Sequence, residues 1–439
     1  MYVKEVHLSN IRSIESLDWK VPDGSGPGWH VVIGDNGAGK SSFLRAIALS
    51  LIGPLEARAL RQDWNEWLRR GTEKGIMRVW LRHDQYYDEF TDKKTYPAEI
   101  TLPAVIMLHR FPPDAPIQTS HVAFLPPPSV GVDAELYTWG DTKGWFSASY
   151  GPFRRFTGVD SEQEKIFASS PKLARHLSVF GESIALSESI EWLKLLQFKK
   201  LENDPEGNLL ESLKQFINQP GFLTNETRLE SISSKGVRFV DGNGCVVPVE
   251  NLSDGYRSIL SMTFELIRQL ARAYGADKIF TPGDATTIIV PGVVLIDEID
   301  AHLHPVWQRR VGRWFREHFP NIQFIVTTHS PLICQAATVG SVFRLPRPGS
   351  DEEAGMVTGV ALDRLLYGNV LDAYSTGAFG AVDLRSDEGM EKLERLATLN
   401  QKELAQGLSS EEQTEQQQLR ARLPTASSAL PSDTEVPQP

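Results

Sequence analysis

At 439 residues, with 41% hydrophobic and 23% charged side chains, the chain can bury one large core or two modest ones. No stretch approaches about 18 consecutive apolar residues, which excludes a membrane-spanning helix, and Met1-Tyr2-Val3-Lys4-Glu5 is no signal-peptide start, so a cytoplasmic protein is expected. The net charge of −11 is unevenly spread: from Asp351 onward 16 acidic residues face 7 basic ones, a balance of −9, leaving about −2 for the first 350 residues and no strong constitutive footprint for a phosphate backbone.

Alternation at Tyr2, Val3, Val6 and Leu8, with a second run near Leu17 and Trp19, predicts an antiparallel strand pair with a turn at Pro22-Asp23-Gly24. The apolar run 29–33 predicts a strand entering a glycine-rich loop. Phe43, Leu44, Ile47 and Leu51 then mark a helix over 41–51. A second helix, rich in Arg and Trp, is expected over 55–70, followed by strands at 76–81 and 98–108. Proline clusters make 111–131 a long surface loop, and 146–150 reads as one more strand. From 161 to 222 the pattern is helical, with no heptad run of coiled-coil length. Asp241-Gly242-Asn243-Gly244 between two apolar runs is a hairpin signal. A helix over 253–275, a strand over 292–296, a helix over 304–318 and strands over 322–327 and 341–345 give an α/β alternation. Beyond Pro346 the chain turns acidic, with exposed amphipathic helices expected over 387–422 and disorder in the last fifteen or so residues. Cys245 and Cys334 fit neither a disulfide framework nor a metal-ligand spacing and are expected as two buried thiols.

Gly34-Asp35-Asn36-Gly37-Ala38-Gly39-Lys40-Ser41 has the spacing G-x-x-x-x-G-K-[ST], after an apolar strand and before a helix. Its glycines let backbone N–H groups wrap a phosphate at a helix N-terminus. Lys40 supplies a point charge to β- and γ-oxygens, Ser41 a hydroxyl to Mg²⁺, and Ser42 a contact to the α-phosphate. Val293-Val294-Leu295-Ile296-Asp297-Glu298 is a buried strand closed by two carboxylates. Asp297 suits Mg²⁺, and Glu298 suits activation of the attacking water. Ser253, Asp254 and Gly255 open the helix at 253 with a hydroxyl and a glycine at a positive helix end. Two readings stand: Ser253 as a plain N-cap, or Ser253 and Gly255 as a γ-phosphate site working in trans, since one chain already has a complete phosphate loop. His329 closes another strand as a γ-phosphate contact or as a structural residue. Asp300-Ala301-His302-Leu303-His304-Pro305 reads as a dimer-contact loop before a helix; His302 and His304 lack further ligands for a metal site.

In this order, the motifs resemble those of the ABC ATPase superfamily, in its RecF/SMC-like branch. They look most like OLD-type and Septu-type standalone heads. The resemblance rests on Leu8-Ser9-Asn10-Ile11-Arg12-Ser13-Ile14, Leu252-Ser253-Asp254-Gly255-Tyr256-Arg257-Ser258, Ile296-Asp297-Glu298-Ile299-Asp300-Ala301-His302-Leu303-His304-Pro305 and Thr327-Thr328-His329-Ser330-Pro331, together with Tyr150-Gly151-Pro152-Phe153-Arg154-Arg155. It implies an α/β head with a mixed sheet, an antiparallel β lobe and a helical insert. It also places Arg12, Asn36 to Ser42, Ser253, Gly255 and Asp300 near ATP, with Glu298 and His329 in catalysis. Tyr256-Arg257 stands where transporter subunits carry Gly-Gln, which argues against a transport motor. No glutamine suits the usual switch loop, whose place Tyr150-Gly151 would take. No strand ending in paired acids follows Pro346, so no TOPRIM nuclease is expected.

The expected organisation is 1–110 and 236–345 as the two halves of the head, 111–235 as loop, strand and insert, and 346–439 as an acidic helical tail. The expected function is an Mg²⁺-dependent ATPase that dimerises as a conformational switch, with a separate effector nuclease as partner in anti-phage defence. The alternative is a genome-maintenance head clamping DNA with Arg58, Arg61, Arg69 and Arg70 interleaved with Trp64 and Trp67; those residues read equally as a packed helix with a solvated arginine face.

Overall fold

The described residues of the computed structural model are 1–60, 62–97, 100–110, 122–125 (backbone only), 133–153, 170–181, 188–379 and 386–423. The strands are, in chain order, β1 Tyr2–Ile11, β2 Ile14–Lys20, β3 Gly28–Ile33, β4 Lys74–Arg82, β5 Thr101–Arg110, β6 Val122–Leu125, β7 Ser147–Tyr150, β8 Arg228–Ser233, β9 Gly236–Val240 and β10 Val246–Pro248. They continue with β11 Phe280–Thr281, β12 Asp284–Ile288, β13 Gly292–Ile296, β14 Ile322–Thr327, β15 Gly340–Arg344 and β16 Gly355–Met356. The longer helices are α1 Lys40–Ile52, α2 Glu188–Leu201, α3 Leu209–Ile217, α4 Asp254–Tyr274, α5 Pro305–His318, α6 Gly359–Tyr367, α7 Asp387–Gln406 and α8 Ser410–Arg422.

The central sheet has the order β16-β15-β3-β14-β13-β7, parallel except for β16 at its edge. β3, β13 and β14 are buried at every position, because helices and a second sheet cover both faces. Alternate residues serve different cores. Val32, Val293, Leu295 and Ile325 pack with α1 and the antiparallel sheet β2-β1-β4-β5-β6. Val31, Val294, Phe324 and Val326 face the other way, toward α2 to α5. A small sheet β10-β9-β8 turns through the expected Asp241–Gly244 hairpin, and β11 pairs with β12.

Several expectations need correction. The turn joining β1 to β2 lies at Arg12 and Ser13, where Asn10 and Arg12 take positive φ; Pro22-Asp23-Gly24 instead follows β2. Residues 55–70 do not form one helix. A four-residue helix Pro54–Ala57 is followed by single 3₁₀ turns at Arg58–Leu60 and Trp64–Glu66, the last capped by Asp63. Trp67 is then buried and Leu68 bridges to Ile11, a pairing incompatible with a continuing helix. The 111–131 segment contains β6, paired with β5; the rest lies outside the described residues, as do Arg61, Arg154, Arg155 and 424–439. Cys334 is buried, but Cys245 is exposed beside the hairpin turn, its N–H held by Asp241 Oδ1.

The chain divides into two compact units, Met1–Gly380 and Ala381–Pro439. The second contains α7 and α8, an antiparallel acidic pair tied by Arg395 to Glu415 and by Gln416 to Asn400 and Glu403. Leu396 and Leu399 are its buried positions along α7. Among the described residues no helix is long and apolar enough to cross a membrane.

Candidate nucleotide site

Parallel strands place their carboxyl ends on one edge, and three adjacent strands here end in the three motifs. β3 runs into the glycine-rich loop, its neighbour β14 into Thr327-Thr328-His329-Ser330, and the next strand β13 into Asp297-Glu298. Gly39 sits at φ 100°, and a Cβ there would lie 3.1 Å from Ser13 Oγ, so the loop closes tightly on the β1–β2 turn before α1 begins. Ser41 and Ser42 fall in the first turn of α1, half-buried, while Asn36 and Gly37 are exposed at the loop tip and Ala38 lies half-buried beyond them. The Lys40 ammonium folds back over the loop, donating to the carbonyls of Gly34 at 2.8 Å and Asp35 at 3.0 Å.

Thr327 joins the two acidic positions. Its hydroxyl donates to Asp297 Oδ1 at 2.6 Å and accepts the Glu298 N–H at 2.8 Å. Glu298 has φ 47°, a left-handed conformation that turns the chain sharply off β13. The next turn is held likewise: Thr328 Oγ1 donates to Asp300, and Ser330 Oγ donates to Gln308 Oε1 at 2.7 Å. Gln308 returns a bond to the Leu303 carbonyl at 2.8 Å, so the Asp300–His304 loop and the His329 loop are tied to each other. Thr327 and Thr328 enter the sequence reading only as part of a motif, and their bridging roles, like that of Gln308, have no signal in the sequence, because a bond across twenty to thirty residues leaves no local spacing.

The charges converge. Burial lowers the Lys40 pKa, opposed by Glu298, Asp297, Asp35 and Asp300. Burial lowers the His329 pKa as well, helped by the Lys40 ammonium and opposed by Asp300, Glu298 and Asp35. The fold thus gathers Lys40, Asp297, Glu298, Asp300 and His329. Tyr150 ends beside them: its carbonyl accepts the Asp297 N–H at 2.8 Å, while its ring is buried with a hydroxyl that has no hydrogen-bond partner among the described residues.

Ser253 and Gly255 are not part of this cluster. They line another cavity, with Tyr256, Trp307, His302 and His304. Ser253 occupies the N-cap position of α4, yet its exposed hydroxyl makes no cap hydrogen bond. A Cβ on Gly255 would stand 2.8 Å from the His302 carbonyl, so this glycine is what lets the Asp300–His304 loop approach α4. Arg12 belongs to the β1–β2 turn that packs on the glycine-rich loop. Its guanidinium stacks 4.3 Å over Trp67, and with Arg70 and Arg110 it borders an open cavity. Among the described residues no three His, Cys, Asp or Glu side chains form a metal cluster. A magnesium held through one hydroxyl, one carboxylate and phosphate oxygens needs none, so Ser41 and Asp297 fit such an ion.

Residues 5–103 match a family model described as "AAA domain", and residues 150–335 match one described as "AAA domain, putative AbiEii toxin, Type IV TA system". The Septu protein PtuA of Bacillus mycoides is 23% identical over 353 residues, which is 78% of this chain and 40% of that protein. The "Retron Vc95 probable ATPase" of Vibrio cholerae is 31% identical over 149 residues, 33% of this chain and 28% of that protein. The "Retron Ec83 probable ATPase" of Escherichia coli is 38% identical over 106 residues, 24% of this chain and 18% of that protein. The chain therefore spans less than half the length of each of these relatives. Among solved structures, an Smc head bound to the C-winged helix domain of ScpA aligns over 81% of this chain and 97% of its own, with TM-score 0.47 and 16% identity. RecF with ATP aligns over 81% of this chain and 99% of its own, with TM-score 0.38 and 14% identity. The phosphate loop thus lies inside one segment that matches an AAA-domain model, and the acidic pair and His329 lie inside the other.

Proposed function

We propose that the chain binds ATP with Mg²⁺ and hydrolyses it in a head-to-head dimer, as a conformational switch for a separately encoded effector nuclease in anti-phage defence. The observation that carries this reading is the division of the site. The lysine, the carboxylates and His329 converge on one edge, while Ser253 and Gly255 line another cavity with the serine hydroxyl uncommitted to its own helix. A second chain facing the first brings that hydroxyl to the first chain's γ-phosphate. ATP and ADP then differ in how strongly they hold the pair together.

In this reading the Lys40 ammonium leaves the Gly34 and Asp35 carbonyls for the β- and γ-oxygens, and Ser41 and Asp297 hold the magnesium, which when bound neutralises phosphate charge. Glu298, fixed at the strand end through Thr327, takes a proton of the attacking water as its oxygen bonds to the γ-phosphorus and the bond from that phosphorus to the ADP oxygen breaks. His329 donates to the γ-phosphate as that charge moves. The likeness to Septu and retron proteins supports the defence setting. The DNA-clamp reading is weaker, because two of its residues are already engaged: Trp67 is buried beneath Arg12, and Arg69 is bonded to Ser13 and Glu15.

The test is Glu298→Gln examined by light scattering with ATP and with ADP. A dimer mass with ATP alone, and turnover lowered by roughly 100-fold or more, is expected. A monomer under both nucleotides overturns the composite site.

A further inference from the structure

α5 sends Trp307, Val311, Trp314 and Phe315 into the core and turns Arg309, Arg310 and Arg313 outward. These arginines form one wall of a groove of about 570 Å³ that takes no part in the nucleotide site; Trp314, Ala336 and Leu366 also line it. The arginines differ in how they are used. Arg313 pairs with Glu317 at 2.7 Å, and Arg316 in the same helix is spent on the Ala336 carbonyl and Thr338. Among the described residues, Arg309 and Arg310 have no acidic partner. The groove also has apolar lining. Leu366 lines the groove from α6, and just beyond it Tyr367 is 73% and Leu371 48% exposed. The Gln335 amide donates to the Gly368 carbonyl at 3.3 Å, which fixes that helix end against the groove wall. The floor is stiff, with Trp314 stacked on Phe222 at a centroid distance of 4.2 Å.

Two guanidiniums without an acidic partner among the described residues, in a groove that Leu366 also lines and that has exposed Tyr367 and Leu371 close by in sequence, suit an occupant with one acidic and one apolar face. We propose that this groove docks an acidic amphipathic helix of a partner protein, its leucine-type side chains on Leu366 and Leu371 and its carboxylates on Arg309 and Arg310. A nucleic-acid strand satisfies the arginines but leaves Tyr367 and Leu371 against phosphate and water, and a purely apolar helix leaves both guanidiniums uncompensated. The identity of that partner as the effector rests on the switch reading above, but the docking itself does not.

The experiment uses the full chain without nucleotide and a fluorescein-labelled peptide of roughly 20 residues with Leu and Glu on opposite helical faces, followed by anisotropy. Saturable binding is expected, weakened about tenfold or more by Arg309→Glu with Arg310→Glu and largely kept by Arg309→Lys with Arg310→Lys. Leu366→Ser should weaken it as well. Equal affinity for the parent and the double Glu variant overturns the proposal. So does equal binding of the peptide with every Glu replaced by Gln, or displacement by a single-stranded DNA oligonucleotide that itself binds in an Arg309- and Arg310-dependent way but ignores Leu366→Ser. Lys40→Ala should bind the peptide normally, and the double Glu variant should hydrolyse ATP at the parent rate, so failure of the nucleotide reading and failure of the groove are told apart.

Discussion

Around Asp297 the chain supplies its own supports: Thr327 bridges the two acidic residues, Thr328 holds Asp300, and Ser330 and Gln308 lock the neighbouring loops. Around Ser253 it does the opposite. The helix starts with an exposed, uncommitted hydroxyl, and the next acidic residue, Asp254, pairs on the surface with Arg257. A site that is finished needs internal restraint, because catalytic groups must not wander. A site completed by another molecule needs its polar groups free, since each bond made within the chain must be broken before the new contact forms.

The contrast is broken most severely at its restrained half. Lys40→Ala removes the ammonium from the loop, and nucleotide affinity should fall by roughly 100-fold, as for loss of charge-assisted phosphate contacts. Titration with a fluorescent ATP analogue measures it, and unchanged affinity refutes the loop assignment. Ser253→Arg attacks the other half. It should leave ATP affinity of the isolated chain within about twofold and reduce turnover by about tenfold or more, since only the paired state is disturbed. Normal turnover in that variant removes the argument for a site in trans.

How legible these halves were in the sequence follows from the same physics. β3, β13 and β14 showed themselves because strands covered on both faces read as unbroken apolar runs, and the phosphate loop followed because only glycine tolerates its backbone. The 55–70 segment misled because its Trp and Leu residues have helical spacing. Their burial comes from Trp67 lying under Arg12 and Leu68 bridging to Ile11, pairings made with a strand more than fifty residues earlier. β8 was invisible for a related reason: Arg228–Ser233 has only two well-buried apolar positions, Leu229 and Ile232, on opposite sides of a bulge. Cys245 looked apolar from its neighbours Val246 and Val247 but sits beside a turn. The Thr327 bridge was beyond any local pattern, although its two partners, Asp297 and Glu298, were both recognised.

Thr327→Val tests that bridge with little change of shape. The valine keeps the strand but leaves a buried carboxylate oxygen and the Glu298 N–H without this partner, which should cost about 1–3 kcal/mol of stability. Urea unfolding reads the loss, and turnover should fall with it because Glu298 is no longer held. A variant as stable and as active as the parent shows that the restraint seen around Asp297 is dispensable.

The smallest effect concerns the sheet that carries the restrained half. His176 is fully buried, with its Nε2 3.0 Å from Ser147 Oγ and its Nδ1 2.9 Å from Ser149 Oγ, both serines on β7. His30 on β3 is buried likewise, its Nε2 donating to the Gly26 carbonyl and its Nδ1 beside Ser341 Oγ. Burial holds His176 well below the usual histidine range, with Arg175 and Lys172 pushing the same way, and brings His30 down to about 4. Both are therefore neutral in the folded chain, while the unfolded chain takes up protons near pH 6.5. Because the folded values are depressed, their contribution is present above pH 6.5 and is lost as pH falls below it. Each histidine should remove up to about 1.4 kcal/mol per pH unit once the unfolded form is protonated, and for His30 the loss levels off near pH 4. Urea unfolding of the parent and of His176→Gln between pH 7 and 5 isolates the first term: the variant, though less stable at pH 7, should show a slope shallower by about one proton. Identical slopes mean that His176 is no proton-excluding strut of β7.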